Sequence, residues 1–214
     1  MSKLTYVSVA GVLGVSGFAI HHLYSKESTQ EIQTKAETTI EVKNIRTKLT
    51  SQGFTTLTDA SENSHHWTEI KTAYDKIKSQ PNKSLKTTST EVTVKDLQEL
   101  CKDGLDKERD DLYEKLRSWC VVPTTISSHL KNLKLTPLST EGESDKGDWE
   151  ALYTKYISQG SQVGVPELSS TDITDWSKLQ QKCKDISSKK NYEDGFDFYL
   201  HFSIGWCVKK NDQS

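Results

Sequence analysis

From Leu4 to Ile20 the chain reads LTYVSVAGVLGVSGFAI, 17 residues without a charge, with only Lys3 as a charge before it and the polar HHLYSKE after it. Beyond this run the pattern changes to short apolar stripes at three- and four-residue steps, the spacing that paints one face of a helix. Trp67, Ile70, Tyr74 and Ile77 form one stripe, and Trp149, Leu152 and Tyr156 form another like it. Val94, Leu97 and Cys101 form a second type, matched by Ile173, Trp176, Leu179 and Cys183. It opens at Thr93, which with Asp96 three places on resembles a capping box. A third type joins Leu112, Leu116 and Trp119, with Phe198, Phe202 and Trp206 as counterparts, and Pro123 stops it. SQPNKS from Ser79 and SQGSQVGVPELSS from Ser158 are loops by their Pro, Gly and Ser. The pattern predicts an all-α fold: an N-terminal transmembrane helix followed by two tandem, similar helical repeats.

The repeat is legible along nearly the whole chain after the apolar run. Ile45, Leu49, Phe54 and Leu57 match Ile126, Leu130, Leu135 and Leu138, each 81 positions on, while Trp67 and Tyr74 match Trp149 and Tyr156 at 82. LQELCKD at 97–103 meets LQQKCKD at 179–185 with five identities in seven. Trp119-Cys120-Val121 recurs as Trp206-Cys207-Val208 after 87, so about five residues are added between the two cysteines of the second copy. One unit is therefore written twice, at 45–122 and 126–208, with a tail at 209–214. The repeated positions are read as core-forming or stapling types: Trp, Tyr, Leu, Ile and Cys.

Seventeen helical residues span about 25 Å, and extension through Tyr24 gives about 31 Å, enough to cross a hydrocarbon core. Residues 1–24 thus read as a membrane anchor, with a cleaved signal peptide as the alternative and a buried core helix as the third reading. Lys3 and the amino terminus favour the N-terminus inside and the rest outside, a single-pass protein of the cell membrane whose first partner is the lipid bilayer. Residues 25–44, with Ile32, Ala36 and Ile40 at helical spacing, read as a juxtamembrane stalk.

Four cysteines on the outer side of a membrane point to two disulfides among Cys101, Cys120, Cys183 and Cys207. Pairing within each copy, Cys101 with Cys120 and Cys183 with Cys207, is the simplest after a duplication; cross-copy pairing is the alternative. The within-copy option sets a geometric condition. A straight helix would hold Cys101 and Cys120 about 28 Å apart, so the chain must turn near Gly104 to Glu108. His65, His66 and Glu69 form the densest cluster of metal-ligand types, yet no convergent third or fourth ligand is visible, and a solvated helix start accounts for them. Cys207 with His201 offers a thiol and a base, but His201 has no counterpart in the first copy, which favours a structural cysteine. Asn82-Lys83-Ser84 fits a glycosylation sequon by pattern. Ala10 and Gly14 lie on one face of the apolar run, where small residues permit close helix contact.

Charge is nearly balanced, 28 basic against 30 acidic residues, which removes the electrostatic case for nucleic-acid binding. No cofactor, metal or catalytic signature is present. The uncharged N-terminal run, the Thr, Ser and Lys-rich remainder and the paired LQxxC and WCV blocks together resemble the large paralogous families of uncharacterised membrane-anchored proteins of haemotropic mycoplasmas. That resemblance implies a setting, an outer membrane face that meets host cells and antibody, and carries no functional residues with it. The expected function is a membrane-tethered extracellular surface protein, a binding or antigenic module for host-cell surface molecules and not an enzyme. The alternatives are an exported hydrolase with an unrecognised site and a scaffold that self-associates through Ala10 and Gly14.

Overall fold

The computed structural model of the chain describes residues 44–159 and 173–209. The predicted anchor at 1–24 with its Ala10 and Gly14 face, the stalk up to residue 43, most of the loop from Ser158 and the last five residues lie outside the described residues. Among the described residues no helix is long and apolar enough to cross a membrane.

Eight α-helices are described, four in each copy. The first copy carries α1 (Ile45–Ser51), α2 (Ser64–Tyr74), α3 (Val94–Leu105) and α4 (Tyr113–Trp119). The second carries α5 (Ile126–Asn132), α6 (Lys146–Gln159), α7 (Trp176–Ser187) and α8 (Phe196–Trp206). The only β-type pairing among the described residues is three isolated bridges, so the all-α expectation holds there.

Local chemistry sets the helix ends. Asn44, Thr125 and Asp175 accept backbone N–H bonds as N-caps, and Thr93 with Asp96 closes the expected capping box onto α3. The Asp175 cap starts α7 at Trp176, which leaves Ile173 before the helix instead of inside it, although its side chain is buried. In the first copy α2 stops at Tyr74, so Ile77 packs on the core from a following turn. Leu112 likewise sits in a 3₁₀ turn ahead of α4. The apolar stripes still reach the core, because a 3₁₀ turn displaces a side chain by little over so short a distance.

The two copies repeat one another contact by contact. Trp67 Nε1 donates to the Thr58 carbonyl at 2.7 Å, and Trp149 Nε1 to the Ser139 carbonyl at 2.9 Å. Tyr74 meets Trp119 edge-on at 5.1 Å, and Tyr156 meets Trp206 the same way at 5.2 Å. The chain leaving α1 pairs with the chain leaving α4: Leu57 N–H donates to the Cys120 carbonyl and Val122 N–H to the Thr55 carbonyl. Leu138 to Cys207 and Lys209 to Thr136 reproduce that pattern in the second copy. Each aromatic pair hides a large apolar area, and in the first copy both polar edges find backbone partners, Tyr74 at the Lys86 carbonyl and Trp119 at the Lys83 carbonyl.

The cysteines pair within each copy, Cys101 with Cys120 at a Cα separation of 5.4 Å and Cys183 with Cys207 at 5.7 Å. The turn this demands begins where α3 ends at Leu105, and a second feature allows α4 to come back so close. A Cβ built on Gly104 would stand 2.7 Å from Leu116 Cδ2, inside contact distance, so glycine is what lets α4 lie against α3 there. In the second copy the equivalent places hold Ile186 and Ser203, both buried, a large residue on the other side of the same contact. Counting back from the Trp-Cys pair therefore puts Ser203, not Phe202, opposite Leu116, a correction of one position to the predicted third stripe. Each disulfide closes a loop of about 20 residues, worth about 3 kcal/mol by the chain-entropy account.

Candidate functional site

The two copies differ most between their cysteines, which lie 19 apart in the first and 24 in the second. Ile45 N–H donates to the Lys107 carbonyl and Ile126 N–H to the Lys189 carbonyl, each at 3.0 Å, so the copies stay in register up to that point. The added residues are then Lys190 to Asp194, and they hold the two copies together. Asn191, 1% exposed, accepts from Thr124 N–H through Oδ1 at 2.8 Å and donates from Nδ2 to the Arg117 carbonyl at 3.1 Å. Tyr192 stacks on Trp119 at 6.1 Å and donates its hydroxyl to Glu69 at 2.7 Å. Lys190 bonds the same Glu69 oxygen at 2.6 Å, and Lys83 pairs with Asp194 at 2.6 Å.

Behind this insertion lies the interior of the junction. Arg117 is 5% exposed and bonds Asp197 at 2.6 Å, Glu114 at 2.9 Å and the Asn191 carbonyl at 3.3 Å, with its guanidinium carbon 5.4 Å from the Phe196 ring centre. His129, 1% exposed, stacks on Phe54 at 4.0 Å and meets Phe196 edge-on. Burial, reinforced by the Arg117 charge and opposed by a backbone hydrogen bond to Gln52, pushes the imidazole down to about 4, so this histidine is neutral in the folded protein.

Two of the candidate catalytic or metal-ligating residues, Glu69 and Cys207, have structural partners. Burial works to raise the Glu69 pKa, but its hydrogen bonds to Lys190 and Tyr192 outweigh burial and hold the carboxylate below its usual range. Glu69 is therefore an anchor of the junction. His65 and His66 lie with ring centres 3.7 Å apart, and His66 is pushed down first by burial and then by His65. Among the described residues no group of three metal-ligand side chains comes together. Cys207 is in a disulfide, so the pairing of its thiol with the exposed His201 has no thiolate to offer. Ser84 of the sequon is buried, its hydroxyl donating to the Gln80 carbonyl at 2.8 Å, while Asn82 stays exposed.

One open cleft with an apolar floor lies in the first copy. A cavity of about 420 Å³ lies between α3, the end of α1 nearest Arg46 and the loop at 57–59, with Leu57, Trp67 and Leu105 at its base. Its rim carries Lys95, Gln98, Glu99 and Lys102 from the exposed side of α3, facing Arg46 and Asp59. Arg46 is engaged by Asp106 at 2.9 Å, and Lys95 lies 4.0 Å from Glu99. An apolar floor with charged and amide groups around it can bind a ligand.

Sequence reasoning missed both features. The signal for the junction was present: the extra residues include Asn and Tyr, types that anchor interfaces, but their number and type do not name the residues they meet. The signal for the cleft lay in repeated polar residues, Gln98 with Gln180 and Lys102 with Lys184, which are neither core-forming nor stapling and so correct the reading of the repeated positions. No protein-family model, curated protein or solved structure matches this chain.

Proposed function

We propose that the chain is a membrane-tethered surface protein whose two stapled repeats form a binding or antigenic module facing the host, with no reaction of its own to catalyse. The observation that carries this reading is that all four cysteines are consumed in two disulfides at equivalent places, leaving no free thiol. Disulfides of this structural kind persist in oxidising surroundings, outside the cytosol. Joined to the uncharged run at 4–20, they favour an exported domain held at a membrane over a free cytosolic one. Two of the candidate catalytic side chains, Glu69 and Cys207, are occupied in an ion pair and a disulfide, which supports binding over turnover. Loops that differ between equivalent copies on a common scaffold are where binding specificity is normally carried. Here Thr58–Asn63 turns into a 3₁₀ element, whereas 139–145 follows a different course.

The test is protease treatment of intact cells, with peptide mapping under non-reducing conditions. Loss of nearly the whole chain beyond residue 25 and recovery of peptides linked 101 to 120 and 183 to 207 are expected. Full protection of the chain, or reduced cysteines in protein taken directly from cells, would remove the proposal.

A further inference from the structure

The duplication supplies its own comparison for the cleft in the first copy. At the equivalent place in the second copy the chain fills the space with its own loop. Gln180 Nε2 donates to the Ser139 carbonyl at 3.2 Å and the Gly142 carbonyl at 3.0 Å, and Lys184 pairs with Glu141 at 2.9 Å. The cavity of about 90 Å³ beside that loop is lined by Leu138, Thr140 and the Cys183–Cys207 bridge and does not reach Gln180 or Lys184. In the first copy the same two side chains are present, as Gln98 and Lys102, but the shorter loop of that copy makes no such bonds to them. The loop is one residue shorter, with nine positions from Thr58 to Trp67 against ten from Ser139 to Trp149, and Ala60 stands where Glu141 would be. Gln98 and Lys102 have no hydrogen-bond or ion-pair partner among the described residues. The Thr58 carbonyl takes one bond, from Trp67, whereas the equivalent Ser139 carbonyl takes two.

We infer that the cleft of the first copy binds an acidic turn of a partner polypeptide, a Glu-Gly segment seated as Thr140 to Gly142 seat themselves in the second copy. Lys102 takes the glutamate carboxylate. Gln98 donates its amide to the turn carbonyls, and Leu57, Trp67 and Leu105 form the floor beneath. The charge balance agrees: Arg46 and Lys95 already have acidic partners, so Lys102 is the cation left over at this rim, while Asp59 at the loop end is placed to accept N–H groups. The inference rests on the binding reading but not on the membrane topology, because a cleft would fill in detergent as well as on a cell.

The test uses the full-length, disulfide-intact protein in mild detergent and a fluorescein-labelled peptide, Ser-Thr-Glu-Gly-Glu-Ser, followed by anisotropy. A second peptide replaces the first Glu by Lys. The wild-type protein is expected to prefer the acidic peptide. Lys102→Glu should weaken that peptide at least about tenfold and strengthen the lysine peptide, since reversing one charge turns attraction into repulsion. Gln98→Ala should weaken the acidic peptide by about fivefold, as expected for lost hydrogen bonds at a partly hydrated site. Both positions are on the surface of α3, so far-UV circular dichroism should be unchanged. Lys131→Glu, at an exposed site on α5, is the control for general charge and should leave the preference intact. No binding of the acidic peptide at millimolar concentration, equal binding by wild type and Lys102→Glu, or an equal loss in Lys131→Glu would each overturn the inference. Such a result would leave the protease test of the proposed function untouched.

Discussion

The contact between α3 and α4 can be inverted by substitution, because the protein contains it in both orientations. Gly104 faces Leu116 in the first copy, and Ile186 and Ser203 hold the same places in the second. Gly104→Ile alone puts a branched side chain where even a Cβ would lie 2.7 Å from Leu116 Cδ2 and 3.1 Å from Cδ1. Overpacking of this kind costs about 1–3 kcal/mol, less up to about 1 kcal/mol regained when a helical glycine is replaced. Leu116→Ser alone empties a site that is 1% exposed and should cost about 3–5 kcal/mol. In the double variant the isoleucine enters the space the leucine left, so the loss should fall to about 2 kcal/mol and the coupling should be favourable by about 2–3 kcal/mol. Urea unfolding followed by tryptophan fluorescence, with the disulfides intact, gives all four corners of the cycle. Additive effects, to within about 0.5 kcal/mol, would refute the claim that the two positions exchange volume.

That pair also shows where sequence reading stops. The helical class, the duplication, the capping box at Thr93 and the within-copy disulfide geometry are all legible, because each depends on spacing or on one residue type at one place. Identity between copies marks what both halves need for the same core: Trp67 and Trp149, Tyr74 and Tyr156. A compensated change is invisible to that comparison, since Gly104 with Ile186 and Leu116 with Ser203 look like two unrelated mismatches until the helices are brought together. A repeated polar residue misleads in the opposite way. Gln98 and Gln180 are identical in type but differ in partner, and a sequence records types, not partners. The inserted Lys190 to Asp194 falls between these cases: its length could be counted, but its use as the junction depends on Glu69, Arg117 and Thr124, all more than 60 positions away along the chain.

Further tests follow from the same geometry. Lys134 holds φ 63 where the equivalent Gly53 holds φ 79; Lys134→Gly should therefore raise stability by up to about 1 kcal/mol, seen as a higher melting temperature, and a decrease would contradict the strain assigned to the lysine. Asn191→Ala strips partners from Thr124 N–H and the Arg117 and Ser118 carbonyls and should cost about 2–3 kcal/mol, with faster amide exchange across the junction; unchanged exchange there would deny the insertion its role. His129 carries a pH dependence whose sign is fixed by its neutral, buried state. With a folded pKa near 4 against 6.5 unfolded, the unfolded chain binds the extra proton, so the contribution is fully present above about pH 6.5 and is lost as pH falls toward 4. Between pH 7.5 and 5 that loss comes to about 2 kcal/mol, and His129→Phe, which keeps a ring against Phe54 and Phe196, should be flatter by the same amount over that interval. Parallel pH profiles for the two proteins would mean that the ring is protonated as readily in the fold as in the unfolded chain, and the buried, neutral state assigned to His129 would have to be given up.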